Sequence, residues 1–177
     1  MAISAFAALV SMGGAPRASI MLGKGRRDEA EKILGNCTTA LIAVSLVLTA
    51  VIQIFGQRIL LTFGASGDTI EYAWSYMQIY SIGTIFVQLA LGLNAFINAQ
   101  GYARTGMLTV LIGAVCNIIL DPILMFVLHM GVRGAALATI ISQGISAAFV
   151  VTFLVSGKSY LKIRIPCLKV EKSVLMP

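Results

Sequence analysis

The 177-residue chain is 58% hydrophobic and only 11% charged, with a mean hydropathy of +0.92. A soluble domain is nearer half apolar and about a quarter charged, so these values exclude an ordinary globular domain and point to a polytopic membrane protein. The net charge of +6 is no sign of a nucleic-acid partner, because Lys and Arg gather between and after the apolar stretches, as in loops held on the cytoplasmic side of a membrane.

Residues 1–12, MAISAFAALVSM, are apolar but too short to span a bilayer, which needs about 20 residues. They lack the basic start of a signal peptide and read as the second half of a helix. Residues 14–33 read as a solvated loop, in which Gly23-Lys24-Gly25 marks a turn ahead of the charged stretch RRDEAEK. A phosphate-binding loop is not expected there: Arg26 and Arg27 follow Gly25, and no strand precedes it. An apolar run from about Leu34 to Phe55 is long enough to cross the membrane. Gln57, Arg58, Gly64, Ser66, Gly67, Asp68 and Glu71 then mark a connection on the far side.

A second span is predicted from about Tyr72 to Ile97, opening with Tyr72, Trp74 and Tyr76 as an interfacial aromatic belt would. The short loop NAQGYAR follows, with Asn98 ending the helix. A third span runs from about Gly106 to Leu128 and a fourth from about Val132 to Val155, joined by a turn at Gly131 that carries His129. Residues 157–177 form a basic tail suited to a cytoplasmic linker or a membrane surface. The three cysteines, Cys37, Cys116 and Cys167, have neither CxxC spacing nor a disulfide pattern. The fold class is therefore all-α: a membrane helix bundle of about four full transmembrane helices plus a partial one.

Charge sets the expected topology. The 14–35 segment holds five Lys and Arg, the 98–106 loop one and the 157–177 tail five; the alternate connections hold only Arg58 and Arg133. The first three are therefore placed in the cytoplasm and the Gly131 turn outside.

One acidic residue, Asp121, falls inside an apolar span. A carboxylate at membrane depth is costly, so it marks a functional site. Asn117 stands one helical turn before it on the same face. Asp121 lies nine residues before Met130 and Thr139 nine after it, which in an antiparallel pair means equal depth, roughly 13 Å from the outer end at about 1.5 Å per residue. Asn117, Asp121 and Thr139 are thus expected to converge, helped by the small residues Gly134, Ala135, Ala136 and Ala138. Carboxylate, amide and hydroxyl oxygens suit a hard cation; a lone carboxylate in a low-dielectric site also suits a proton. Either polar neighbour alone would equally serve as an interhelical link. Pro122 removes the donor for the carbonyl of Ile118 and is expected to kink the helix. Asn94 and Asn98 form another one-turn pair, in which Asn94 is the deeper and a candidate to face a cavity. Gln78, Gln88 and Gln143 are weaker candidates. No nucleophile–base–orienter set is visible, so the chain is not expected to be an enzyme.

Several stretches resemble the multidrug and toxic compound extrusion (MATE) transporters: MGGAPRASIMLGKGRRDEAEK (12–32), LNAFINAQGYARTGM (93–107), NIILDPILMF (117–126) and GVRGAALATIISQGIS (131–146). The Asn-x-x-x-Asp helix followed by the GAAxAT helix is the more specific part. The resemblance implies a multi-pass cell-membrane protein that exchanges Na⁺ or H⁺ for cationic and amphipathic drug-like compounds, with no cofactor beyond the coupling ion. It implies that residues 1–156 form part of an amino-terminal six-helix lobe, from the end of helix 2 through helix 6, and that 157–177 lead toward a second lobe. It implies cation binding by Asp121, Asn117 and Thr139, and substrate binding by Asn94. Helix 1, which often adds an acid to this site in the family, and the second lobe are expected to lie outside this stretch. Two alternatives stand beside this reading: a lipid-linked oligosaccharide flippase of the same superfamily, disfavoured by predicted spans free of Lys and Arg, and a truncated membrane protein that transports nothing.

Overall fold

The computed structural model describes residues 2–64, 66–67, 69–156 and 159–163. Among the described residues, six α-helices follow one another: α1 (Ala2–Gly23), α2 (Arg27–Thr62), α3 (Ile70–Ile82), α4 (Thr84–Ala99), α5 (Ala103–Pro122) and α6 (Gly131–Val155), with one π-helical turn at Ile123–Val127. Among the described residues, four stretches are long and apolar enough to cross a membrane: Ile3–Gly23, Arg27–Thr62, Ala103–Val127 and Gly131–Val155. Counted as one span, the bent pair α3–α4 makes a fifth. At 36 residues, α2 is roughly 54 Å long at about 1.5 Å per residue, well beyond a hydrocarbon core of about 30 Å.

Two glycines end helices where the sequence marks turns. At the end of α1, Gly25 takes φ +74°. Its N–H donates to Leu22 O at 3.0 Å, and that of Arg26 to Met21 O at 2.9 Å. At the end of α4, Gly101 takes φ +89°, and the N–H groups of Gly101 and Tyr102 donate to Asn98 O and Ile97 O. Both are the paired bonds that close a helix through a left-handed residue, a conformation open to glycine at little cost.

The first helix is longer than predicted. Residues 14–23, expected in a loop, continue α1 despite Gly13-Gly14 and Pro16. Gly14 lies so close to Cys37 and the ring of Phe96 that a Cβ would collide with both. The packing gained from that approach outweighs the weak local propensity, and proline is tolerated in membrane helices where neighbours support the backbone. Arg17 therefore stands inside a candidate span, contrary to spans free of Lys and Arg.

The predicted 72–97 span is not one straight helix. It breaks at Gly83, where α3 and α4 meet at 55°. The side chains of α2 bind at the break: Thr49 Oγ1 donates to Ser81 O at 2.8 Å, and Gln53 Nε2 to Gln78 O at 3.1 Å and Ser81 Oγ at 3.0 Å. Backbone carbonyls at membrane depth need such partners.

The core forms around α4. Leu93, Phe96 and Ile97 are fully buried, packed with Leu34 and Leu41 of α2, Ala15 and Ala18 of α1, and Val150 and Leu154 of α6. The outside is apolar: Leu46, Ile54, Leu111, Ile118 and Phe126 are exposed, as lipid-facing side chains are. Most of the basic 157–177 segment lies outside the described residues. Its described part, 159–163, folds back on the end of α4. Ser159 Oγ and Leu161 N both donate to Gln100 Oε1, at 2.8 and 2.9 Å, and Leu161 is buried.

Candidate functional site

α5 and α6 present the polar residues singled out in the sequence. Asn117 and Asp121 are half-buried on α5, and Asn117 Nδ2 donates to Asp121 Oδ1 across a long 3.5 Å. With its amino group turned to the carboxylate, the amide oxygen of Asn117 is left as an acceptor. On α6, half-buried Thr139 donates its hydroxyl to Ala135 O at 3.0 Å, which leaves oxygen lone pairs on the threonine.

Irregular backbone follows Asp121. Pro122 closes α5, and the next turn is π-helical, with Leu128 N–H donating to Ile123 O at 3.0 Å. Pro122 has no N–H to offer Ile118 O, in the turn before it; the π turn lies on the other side of the proline, at Ile123–Val127. His129 (φ +52°) and Gly131 (φ +54°) then reverse the chain into α6. Gly134 permits close contact between α6 and the π turn: a Cβ there would lie 2.6 Å from Leu124 O.

A cleft of about 200 Å³ opens among α4, α5 and α6. Asn117 and Thr139 both line it, together with Thr109, Ser142, Gln143 and Ser146. Asp121 is not in its wall and reaches it through the amide of Asn117. One side of the cleft is fastened by hydrogen bonds. Ser146 Oγ donates to Thr109 O at 2.7 Å, and Thr109 Oγ1 to Gly106 O at 2.7 Å. The hydroxyl of Ser142, 1% exposed, has no hydrogen-bond partner.

Asn94 does not line the cleft; its helix contributes Ala90 and Leu91 instead. Its Nδ2 donates to Gly106 O at 3.2 Å, and its Oδ1 is buried without a partner. Asn94 and Asn98 both converge on Gly106, so this pair meets the start of α5. Gln88 lies fully buried and ties α4 to α1 by donating to Ile3 O at 3.0 Å. Among the described residues there is no group of three His, Cys, Asp or Glu able to hold a metal ion, which leaves neutral oxygens and one carboxylate as the donors near the cleft.

Sequence reasoning missed the serines. Thr139, Ser142, Gln143 and Ser146 recur at three- and four-residue spacing, the signature of one helix face. Serine and threonine in apolar helices so often bond their own backbone that this spacing alone does not mark a site.

The MatE family model matches residues 1–123. A multidrug export protein, MepA of Staphylococcus haemolyticus (strain JCSC1435), is 30% identical over 173 residues, covering 98% of this chain and 38% of that protein. MepA of Staphylococcus aureus (strain NCTC 8325 / PS 47) is 32% identical over 134 residues, covering 76% and 30%. Among solved structures, the inward-facing conformation of a multidrug resistance MATE family transporter of the MOP superfamily superposes with a TM-score of 0.92 at 24% identity, over 98% of this chain and 40% of that one. At that identity the likeness is one of fold. The chain spans well under half the length of each of these relatives.

Proposed function

Since the chain belongs to the MatE family, we propose that it works as part of a secondary antiporter that exports drug-like cationic and amphipathic compounds in exchange for an inward-moving cation. Members of this family are multi-pass membrane transporters, in keeping with the four candidate spans. The curated relatives quoted above are multidrug export proteins. The rest of the antiporter, including a second lobe, would be contributed by sequence beyond these 177 residues.

The observation that carries the cation-coupled reading is the meeting of α5 and α6. Asn117 and Thr139 share one cleft, and the carboxylate of Asp121 touches the amide of Asn117. In this reading Asp121 supplies the charge, while the amide oxygen of Asn117 and the hydroxyl of Thr139 supply neutral ligands for Na⁺. With H⁺ the carboxylate alone takes the proton. Cation binding draws α5 and α6 together, and alternating access follows if the two packings differ in cation affinity. Substrate binds on the α4 side, where the unpartnered Oδ1 of Asn94 can accept a hydrogen bond from a cationic nitrogen.

The flippase alternative calls for basic residues in the cavity. Arg17 now falls within a candidate span, but it lines a separate groove with Ile33, Asn36 and Cys37. The polar cleft is lined by no basic residue, which favours drug export. The test is uptake of a fluorescent cationic drug into inside-out vesicles carrying the complete polypeptide, driven by Na⁺ or pH gradients. Gradient-driven uptake that Asp121→Asn abolishes is the expected result. Uptake indifferent to both gradients, or intact in Asp121→Asn, overturns the reading.

A further inference from the structure

We propose that Ser142 is an additional ligand of the cation site, one that serves an alkali ion and not a proton. The proposal rests on the cation reading of Asp121, Asn117 and Thr139.

Three observations on α6 carry it. Ser142 lies three residues after Thr139, so the two share a helix face, and both line the cleft that Asn117 enters. Its neighbours have committed their hydroxyl protons: Thr139 Oγ1 donates to Ala135 O and Ser146 Oγ to Thr109 O. Ser142 Oγ alone of these three is unpartnered, in a residue only 1% exposed. A buried hydroxyl left without a partner is costly and uncommon, and serine in an apolar helix would ordinarily donate to its own backbone.

The chemistry of the wall selects the ligand. Every residue lining the cleft is uncharged. Its polar groups include hydroxyl oxygens from Thr139 and Ser142 and amide oxygens from Asn117 and Gln143. Such oxygens replace the hydration shell of a hard cation. A proton needs one acceptor oxygen and gains nothing from a ring of hydroxyls. The cleft, at about 200 Å³, is roomy enough for an ion with residual water. A hydroxyl that contributes only with Na⁺ would make the site prefer Na⁺ over H⁺.

The experiment uses the complete polypeptide in detergent. Its thermal unfolding midpoint is titrated with NaCl at constant ionic strength, with choline chloride as the balancing salt. Ser142→Ala is expected to hold or raise the Na⁺-free midpoint, since it deletes an unsatisfied buried hydroxyl, while weakening apparent Na⁺ affinity on the order of tenfold. Ser142→Thr keeps the oxygen and is expected to retain most of the Na⁺ response. Ser45→Ala, on α2 and outside the cleft, is expected to leave Na⁺ affinity alone. Wild-type Na⁺ affinity in Ser142→Ala, with Thr139→Ala impaired, overturns the role of Ser142 and leaves the site standing. A Na⁺ response surviving in Asp121→Asn overturns the site reading itself. No Na⁺ response in the wild type excludes an alkali-ion ligand, and the proposal with it. If Ser142→Ala unfolds in detergent, Ser142→Cys, which keeps the side chain's shape and replaces its hard oxygen with sulfur, takes its place with the same expected loss.

Discussion

Ser146 and Thr109 join α6 to α5 by a single 2.7 Å bond from the serine hydroxyl to the threonine carbonyl. The same threonine passes its own hydroxyl to Gly106 O, which also accepts from Asn94 of α4. Three helices thus meet through one short relay beside the cleft. Ser146→Ala removes the interhelical step but leaves the carbonyl of Thr109 its place in the helical ladder. The expected loss is about 0.6 kcal/mol, the average for such bonds in a membrane bundle, and at most about 1.7 kcal/mol, read as a lower midpoint in thermal or denaturant unfolding. An unchanged midpoint would mean that the relay carries no stability.

Gly134 is predicted to be intolerant of any side chain. A Cβ there would lie 2.6 Å from Leu124 O and 2.7 Å from Leu124 C, and backbone atoms of the π turn cannot swing aside as a side-chain tip can. Gly134→Ala should therefore cost roughly 1–3 kcal/mol as an overpacking change and shift the π turn next to Asp121. Stability and cation-dependent efflux are expected to fall together. Gly131→Ala is a control of a different kind: nothing lies near its Cβ, but its φ of +54° strains an L-residue, so it should cost stability without crowding the site.

The break at Gly83 gives a further prediction. Gln53 donates to Gln78 O and Ser81 Oγ, and Thr49 to Ser81 O, across the bend between α3 and α4. Gln53→Leu keeps the bulk and removes the donors. It should destabilise by about 1–2 kcal/mol and increase hydrogen exchange at 78–84 above that of the flanking helices. Exchange at 78–84 equal to the wild type would show that the bend stands on packing alone.

What the sequence disclosed, and what it hid, follows from the range of the forces involved. Gly25 and Gly101 act locally, through their own φ, and both turns were legible in the residues around them. The pairing of Asn117 with Asp121 is also local, one turn apart on one helix. The persistence of α1 through Gly14 and Pro16 is not local, because it depends on Cys37 and Phe96 from two other helices. The break at Gly83 is likewise met by donors 25 to 32 residues away in α2. A hydropathy reading sees 72–97 as one span because it is mostly apolar and no charged residue interrupts it. The equal-spacing argument aligned Asp121 with Thr139 on ideal α-geometry, but the π turn intervenes, and the side chain that joins Thr139 in the cleft is Asn117.

Asn94 is open to two roles that can be told apart. Its Nδ2 is committed to Gly106 O, and its Oδ1 is buried without a partner. If the residue only fastens α4 to α5, Asn94→Ala and Asn94→Leu lower stability by about 1 kcal/mol, and transport falls equally for every substrate. If the free Oδ1 accepts a hydrogen bond from substrate, the loss depends on what is transported. Half-saturation rises for compounds bearing a protonated amine and stays level for quaternary cations, which have no N–H to donate. Asn94→Asp sharpens the contrast, since a carboxylate keeps the acceptor but cannot donate to Gly106 O. It should bind protonated amines at least as well as the wild type while unfolding at a lower temperature. We expect the substrate-dependent pattern, because the unpartnered acceptor is otherwise a cost that an aliphatic side chain would avoid. Equal losses across amines and quaternary cations would return Asn94 to the scaffold.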